Sequence, residues 1–353
     1  SRIFAELIKD FSENKKLDVI CPIVYSENEY FSKTNFPRIK SFIDSIQFSL
    51  KSKILKNILP YINNIYTKFY LYNHSVEVYF PSYYDTYLLS SMTKAKKIVF
   101  VYDMIHEKYP QYFKDEKISL KKKKWLNSSD KIIAISHNTK LDLLKYYPNL
   151  PSDKIEVVHL SHSIQKFIKK DLIKNLPENY ILFVGTRGNY KNFQVLLSAF
   201  VLLSASYHDY KLLCIGGGAF TAKEKEFLTE NNLQNKAIQM SINDDAFYTI
   251  YSQAKAFVFP SLYEGFGIPV IEAMYSGCPV ILGRLSSFPE IAEDAGIYAD
   301  MSNSQDVFEK IEKVVKNHEY RNEMIAKGLE QSKKFSWAKT ADKTYEVIRS
   351  IEN

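Results

Sequence analysis

The hydrophobic positions of this chain fall into two alternations of short apolar runs with segments of helical period. The second is the sharper. Its runs Tyr180–Gly185, Lys211–Ile215, Ala237–Met240, Ala254–Pro260 and Gly296–Ala299 have strand length and are largely apolar throughout, the pattern of strands buried on both faces. Helical segments Asn192–Ser204, Lys223–Asn231 and Asp244–Tyr251 separate them, and Gln305–Lys316, Tyr320–Lys334 and Trp337–Ile351 follow as helices. The first alternation opens on a helix, Ile3–Phe11, with Phe4, Leu7, Ile8 and Phe11 on one side. A strand is predicted over Leu17–Val24, then apolar runs at Val76–Phe80, Lys97–Tyr102, Lys131–Ile135 and Ile155–Leu160. Ser136–Thr139 reads as the cap of a helix carrying Leu141, Leu143 and Leu144. Strands alternating with helices specify parallel sheets. A linker of mixed charge, Ile164–Asn179, divides two α/β domains, 1–170 and 171–336.

Within the second domain one stretch concentrates the chemistry. Phe259–Gly283 reads as strand, glycine turn, helix and strand, with Pro269 at the helix start, Val270, Ile271, Ala273 and Met274 on its buried side, and Gly277 as its stop. A helix that opens on such a turn aims free N–H groups and the positive end of its dipole at an anion. Two carboxylates, Glu264 and Glu272, share this frame. An acid beside an anion site repels phosphate, so its work is to accept hydrogen bonds from neighbouring hydroxyls, as sugars supply. The loop Gly185–Lys191 adds two cations, Arg187 and Lys191, just past the end of another strand, where open parallel sheets hold ligands. No Gly-x-Gly-x-x-Gly spacing, P-loop or Asp-x-Asp occurs, which argues against a dinucleotide cofactor.

Composition changes this picture in two places. Apolar residues at 46% and charged residues at 25% are ordinary for a soluble protein, no apolar run is long enough to span a bilayer, and no signal peptide heads the sequence; cytoplasmic residence is the expectation. Cys21, Cys214 and Cys278 sit in apolar runs without metal-ligand spacing and read as buried free thiols. The net charge of +7 is uneven: residues 1–175 hold 29 Lys/Arg against 18 Asp/Glu, a surplus of 11, and the remainder is acidic. The surplus concentrates in Arg38–Ile58, where Lys alternates with apolar residues three or four apart, and in Lys121–Lys124 before Trp125. Each suits either a solvated helix face or peripheral contact with an anionic membrane surface at the inner face of the plasma membrane. A nucleic-acid partner is not expected, because the excess is Lys rather than clustered Arg with aromatic platforms.

With these residues in view, the chain resembles glycosyltransferase family 4, retaining nucleotide-sugar-dependent transferases of the GT-B fold. In that fold two Rossmann-like, doubly wound parallel-sheet domains face a cleft. The segments PSLYEGFGIPVIEAMYSGCPVI, matching an E-x7-E motif, and FVGTRGNYKNFQVLLSAF, matching a phosphate-gripping turn, carry the resemblance, supported by VYDMIHEKYPQYF, AISHNTKLDLL and the terminal FSW with its helix. It implies that Arg187 and Lys191 neutralise the donor diphosphate and that Glu264 touches the transferred sugar. Backbone around Gly265, Phe266 and Gly267, with Ile268 and Gly185, would line the donor, and Glu272 would read the ribose. Loop Ser241–Asp245, including Asn243, would approach the base. Asp103 and His106 would line the cleft, with Tyr83, Tyr84 and Asp85 on the acceptor side. Phe80 stands where related sequences often carry His. The expected cofactor set is empty, the cations substituting for a metal, and the co-substrate is a nucleotide sugar, GDP-mannose before a UDP-sugar. The acceptor would be a saccharide or lipid-linked saccharide. The resemblance further implies that 337–353 crosses back to the acceptor-binding first domain. Family members usually carry a strand and a glycine-rich turn ahead of such a helix as Ile3–Phe11, and this sequence starts at the helix. A nucleotide-sugar epimerase of the same architecture is the competing enzyme, against which the E-x7-E turn speaks.

Overall fold

The computed structural model describes residues 2–14, 16–22, 53–89, 94–113, 116–166 and 176–351. Both alternations become parallel sheets. Strands β1 (Val78–Tyr79), β2 (Lys96–Val101), β3 (Lys131–Ala134) and β4 (Ile155–Val157) lie side by side in chain order. Their register sets Ile98 beside Lys131 and Ile132 beside Ile155. The second sheet holds β5 (Tyr180–Val184), β6 (Lys211–Ile215), β7 (Ala237–Met240), β8 (Ala256–Phe259), β9 (Val280–Gly283) and β10 (Gly296–Ala299), in the order β10-β9-β8-β5-β6-β7.

That order positions the site. The chain enters the second sheet at its centre, moves outward through β6 and β7, then returns to lay β8 on the other side of β5 before moving outward again. At such a reversal the loops leaving the two central strands diverge to opposite faces and leave a crevice between them. The loops after β5 and β8 are the ones that carry Lys191 and Glu264.

The helix Trp337–Arg349 leaves the second domain and packs on the first helix, Arg2–Glu13, with Leu7, Phe11, Val347 and Ile348 in one core. Lys16 bridges Asp10 and Asp342, the Trp337 indole donates to Ser163 Oγ at 2.9 Å, and the Thr340 hydroxyl donates to the His159 carbonyl at 2.7 Å.

Three sequence expectations change. Residues 17–22 form no strand; Leu17, Val19 and Cys21 pack against the core as irregular chain, and positions 23 and 24 lie outside the described residues. The segment Asp244–Tyr251 is a 3₁₀ turn, Asp244–Ala246, followed by a helix, Phe247–Gln253. The Lys121–Lys124 run belongs to the helix Lys117–Ser128, and Lys122 is 1% exposed, so this run is no uniform cationic face. Most of Arg38–Ile58 lies outside the described residues, which resume at 53.

Candidate active site

The turn after β8 is built around two glycines with different reasons. Gly267 takes φ +98° at the start of the helix Ile268–Tyr275, a left-handed conformation that other residues rarely adopt. Gly265 is needed for space: a Cβ there would lie 1.7 Å from the Tyr102 carbonyl oxygen at the end of β2, so only glycine lets this turn touch the first domain. The contact is hydrogen-bonded on both flanks. Ser136 Oγ and Thr139 Oγ1 donate to the Gly265 carbonyl at 2.7 and 3.2 Å, and the Tyr263 hydroxyl accepts from the Met104 amide at 3.1 Å. Ser287 Oγ donates to the Phe266 carbonyl at 2.8 Å. Ser136 also caps its own helix by accepting from the Thr139 amide, so the cap foreseen from sequence does double duty across the domain boundary.

Glu264 lies in this turn against Lys191, whose Nζ is 2.5 Å from Oε1. Burial pushes the Glu264 carboxyl up from its usual range, opposed by Lys191 and reinforced by the like charge of Asp103. One cation and two acids therefore face one another across the cleft. Asp103 is held in place by accepting the Ile105 amide at 3.0 Å.

Arg187, expected beside Lys191 at the diphosphate, is engaged here by protein atoms. Its Nε donates to Glu224 at 2.9 Å, NH1 to the Gly216 carbonyl at 3.0 Å, and NH2 to the Gly218 and Ala219 carbonyls at 2.9 and 2.8 Å. The guanidinium also stacks on Phe220. All three nitrogens are engaged, so Arg187 binds the glycine turn after β6 to the loop after β5. Gly185 belongs to the same junction, with φ +127° and its carbonyl under Gly217. Lys191 is the cation this loop offers to Glu264.

Glu272, one turn into the helix, is buried and meets Arg2 of the first helix at 3.2 Å. Burial raises its pKa, and Arg2 and Tyr251 pull it back. Arg2 also reaches Asp244 at 3.5 Å, next to the exposed Asn243 at the end of β7.

On the first domain, Tyr83, Tyr84, Tyr102, Asp103, His106 and Lys122 line a cavity of about 290 Å³. Burial lowers the His106 pKa and so favours the uncharged ring, and among the described residues its buried Nδ1 has no hydrogen-bond partner. Lys122 Nζ donates to Glu107 at 2.8 Å and to the Asp103 carbonyl at 2.9 Å, while the Tyr147 hydroxyl donates to the other Glu107 oxygen at 3.1 Å. This buried pair fixes the turn that carries Asp103 and His106. Tyr84 is buried beneath the Tyr102 amide; Asp85 is exposed and pairs with Lys121.

Sequence reasoning missed Arg2, Lys122, Tyr263 and Glu290. The Lys122 signal was present, since Ile118, Lys122, Trp125 and Leu126 share a helical face; nothing local marks Arg2 or Tyr263. Glu290 accepts the amides of His137 and Asn138 at 2.8 and 3.2 Å and the His159 ring, so the second domain caps a helix of the first. Among the described residues, His137, His159 and Glu290 alone bring three metal-ligating atoms within 4.8 Å of one another, and the Glu290 oxygens are already taken by those donors.

Two parallel-sheet domains closing on a crevice at the reversal of strand order, with paired acid and lysine on one wall and an aromatic cavity on the other, form a GT-B fold. Residues 164–331, just under half of the chain, match the family profile described as "Glycosyl transferases group 1", which supports a glycosyltransferase. The chain is 28% identical over 257 residues to O-antigen chain mannosyltransferase B of Escherichia coli, covering 69% of this chain and 67% of that protein. It is 27% identical over 230 residues to the E. coli serotype-specific mannosyltransferase WbdA, covering 60% of this chain but 28% of that longer protein. A glycosyltransferase structure from Rickettsia africae superposes with a TM-score of 0.72 at 19% identity, across 100% of this chain and 94% of that one.

Proposed function

We propose that this chain transfers a hexosyl group, with retention of anomeric configuration, from a nucleotide sugar to a saccharide or lipid-linked saccharide in polysaccharide or O-antigen-type assembly. GDP-mannose is the first candidate donor, supported by the names of the relatives, and a UDP-sugar the second. The observation that carries the reading is the Lys191–Glu264 pair at the sheet's reversal point, beside the N-terminus of the helix Ile268–Tyr275 and opposite Asp103.

In this reading the donor diphosphate lies against Lys191 and the backbone of Gly265, Phe266, Gly267 and Ile268. Lys191 turns from Glu264 to the phosphate, and Glu264 is left to accept a hydroxyl of the transferred sugar. Glu272 accepts the ribose hydroxyls, with Asn243 towards the base. Arg187 acts through the glycine turn it holds. The anomeric C–O bond breaks, and the bonding pair leaves with the nucleoside diphosphate, whose growing charge Lys191 and the helix terminus stabilise; preorganised donors of this kind are usually the largest catalytic contribution. The acceptor oxygen attacks from the same side, and its proton passes to the departing phosphate oxygen. Asp103 and neutral His106 hold the acceptor in the aromatic cavity. Positive charge from the protein takes the place of a metal. A lipid-linked acceptor would bring the chain to the inner face of the plasma membrane; among the described residues no helix is long and apolar enough to cross it.

The test is turnover of a donor panel with GDP-mannose and UDP-sugars, the product's anomeric configuration being read by NMR. Glu264→Gln should lower kcat/KM by about 100-fold, in the range of losing one preorganised polar contact. A wild-type protein inert toward every donor, or a glutamine variant as active as wild type, refutes the reading.

A further inference from the structure

The two oxygens of the Glu272 carboxylate are held from two different domains. On the second-domain side the hydroxyl of Tyr251, a fully buried residue, donates to Oε2 at 3.4 Å. From the first domain one Arg2 guanidinium nitrogen donates to Oε1 at 3.2 Å, while the other lies 3.5 Å from an Asp244 oxygen. Arg2 is anchored in its own domain by the residues that follow it: Ile3 and Phe4 are buried, and the Phe4 ring meets Phe80 and Phe100 edge-on at 5.4 and 5.8 Å. Its charge therefore reaches Glu272 across the cleft.

The surroundings give that charge its weight. Burial pushes the Glu272 carboxyl towards its neutral form and Asp244 adds to this, while Arg2 leads the groups that oppose them. The imidazole on the same helix face adds no second cation. His162 packs on Tyr275, three residues beyond Glu272, with centroids 4.1 Å apart, and burial with the Arg2 charge lowers its pKa to about 4. An ionised carboxylate offers two lone-pair positions on each oxygen. Arg2 and Tyr251 take one apiece, which leaves one on each oxygen for two neighbouring hydroxyls, such as the 2′,3′-diol of a ribose. A protonated carboxyl would lose one of these acceptor positions to its own hydrogen.

We propose, on the strength of the nucleotide-sugar reading, that Arg2 is a positioning residue for the nucleotide: across the cleft it holds the Glu272 carboxylate so that both oxygens accept the ribose hydroxyls. Nucleotide affinity then depends on closure of the two domains, because an opened cleft withdraws Arg2.

The test compares GDP and UDP with their 2′,3′-dideoxy analogues by calorimetry on the intact protein. Wild type is expected to bind one of the two nucleotides at least about tenfold more tightly than its dideoxy analogue. Arg2→Met should weaken the ribose form by about 10- to 100-fold, the range for a hydrogen bond to a charged group, and leave the dideoxy form within about threefold. Arg2→Lys, which keeps the charge, should recover part of the loss. In a Glu272→Gln background Arg2→Met should cost nothing further, as expected when one residue acts through the other. Both ligands are measured on one preparation, so partial unfolding of a variant affects them alike. Equal weakening of the ribose and dideoxy forms by Arg2→Met overturns the proposal, since Arg2 would then act on the phosphates or on closure alone. Unchanged or tighter binding of the ribose form also overturns it, the latter making Arg2 a competitor for the ribose site. Wild-type protein that binds neither nucleotide, or binds ribose and dideoxy forms alike, refutes the assignment of Glu272 to the ribose and the role of Arg2 with it.

Discussion

Gly265→Ala is expected to disable the enzyme without unfolding it. Gly265 is not among the glycines at positive φ, so the backbone tolerates alanine and the effect is steric. The new Cβ would sit 1.7 Å from the Tyr102 oxygen and 2.8 Å from its carbonyl carbon. Side chains essentially never approach closer than 3.0 Å, so the two groups must part by about 1.3 Å. Tyr102 ends a strand paired within its sheet, and Gly265 belongs to the other domain, so the relief available is opening of the cleft. The Ser136–Gly265 bond of 2.7 Å and the Met104–Tyr263 bond of 3.1 Å then stretch beyond hydrogen-bonding range. Each is worth about 1 kcal/mol, a small loss beside the clusters of buried apolar residues that hold the two sheets. Catalysis is less tolerant: a displacement of ~1 Å between reacting groups costs about 100-fold, or about 2.7 kcal/mol of barrier. The assay is kcat/KM toward donor and acceptor beside a thermal melt. An unchanged kcat/KM in a folded variant would refute the claim that closure through Gly265 sets the distance between Glu264 and Asp103.

Two further substitutions probe the frame. Glu290→Gln should cost about 1.5–3 kcal/mol in urea unfolding, the range for hydrogen bonds to a charged group. Burial pushes the Glu290 carboxyl up, but the His159 ring and the amides of His137 and Asn138 outweigh it and hold the pKa below the usual range. The carboxylate's contribution is therefore complete above the unfolded value of about 4.3 and is lost as pH falls through the lower folded value; the glutamine variant should show a flatter acid limb of stability against pH. Lys122→Met leaves Glu107 buried without its cation, a loss of about 3–5 kcal/mol, and adding Glu107→Gln should recover much of it. Recovery of nothing in the double variant would show that the pair does not act as a unit.

The sequence by itself determined the elements and much of the chemistry. Continuous apolar runs marked β5 through β10, because strands buried on both faces have little room for polar residues, and glycines with flanking acids and cations marked the turns after β5 and β8. Over residues 17–22 the expected strand does not form: Leu17, Val19 and Cys21 pack on the core without joining a sheet, and whether an apolar run pairs with a sheet edge is not written in its own pattern. Tertiary structure alone decided which charges meet. Arg187 and Lys191 lie four residues apart, yet one binds the glycine turn after β6 and the other Glu264, because their side chains leave the loop towards different strands. Lys122 looked like one of four solvated lysines until its helix face was set against the Asp103 turn. Arg2 with Glu272, Ser136 with Gly265 and Glu290 with His137 pair residues more than a hundred positions apart. Local pattern carries no record of such contacts, since they depend on how two domains close, and that closure is permitted by the missing side chain of one glycine.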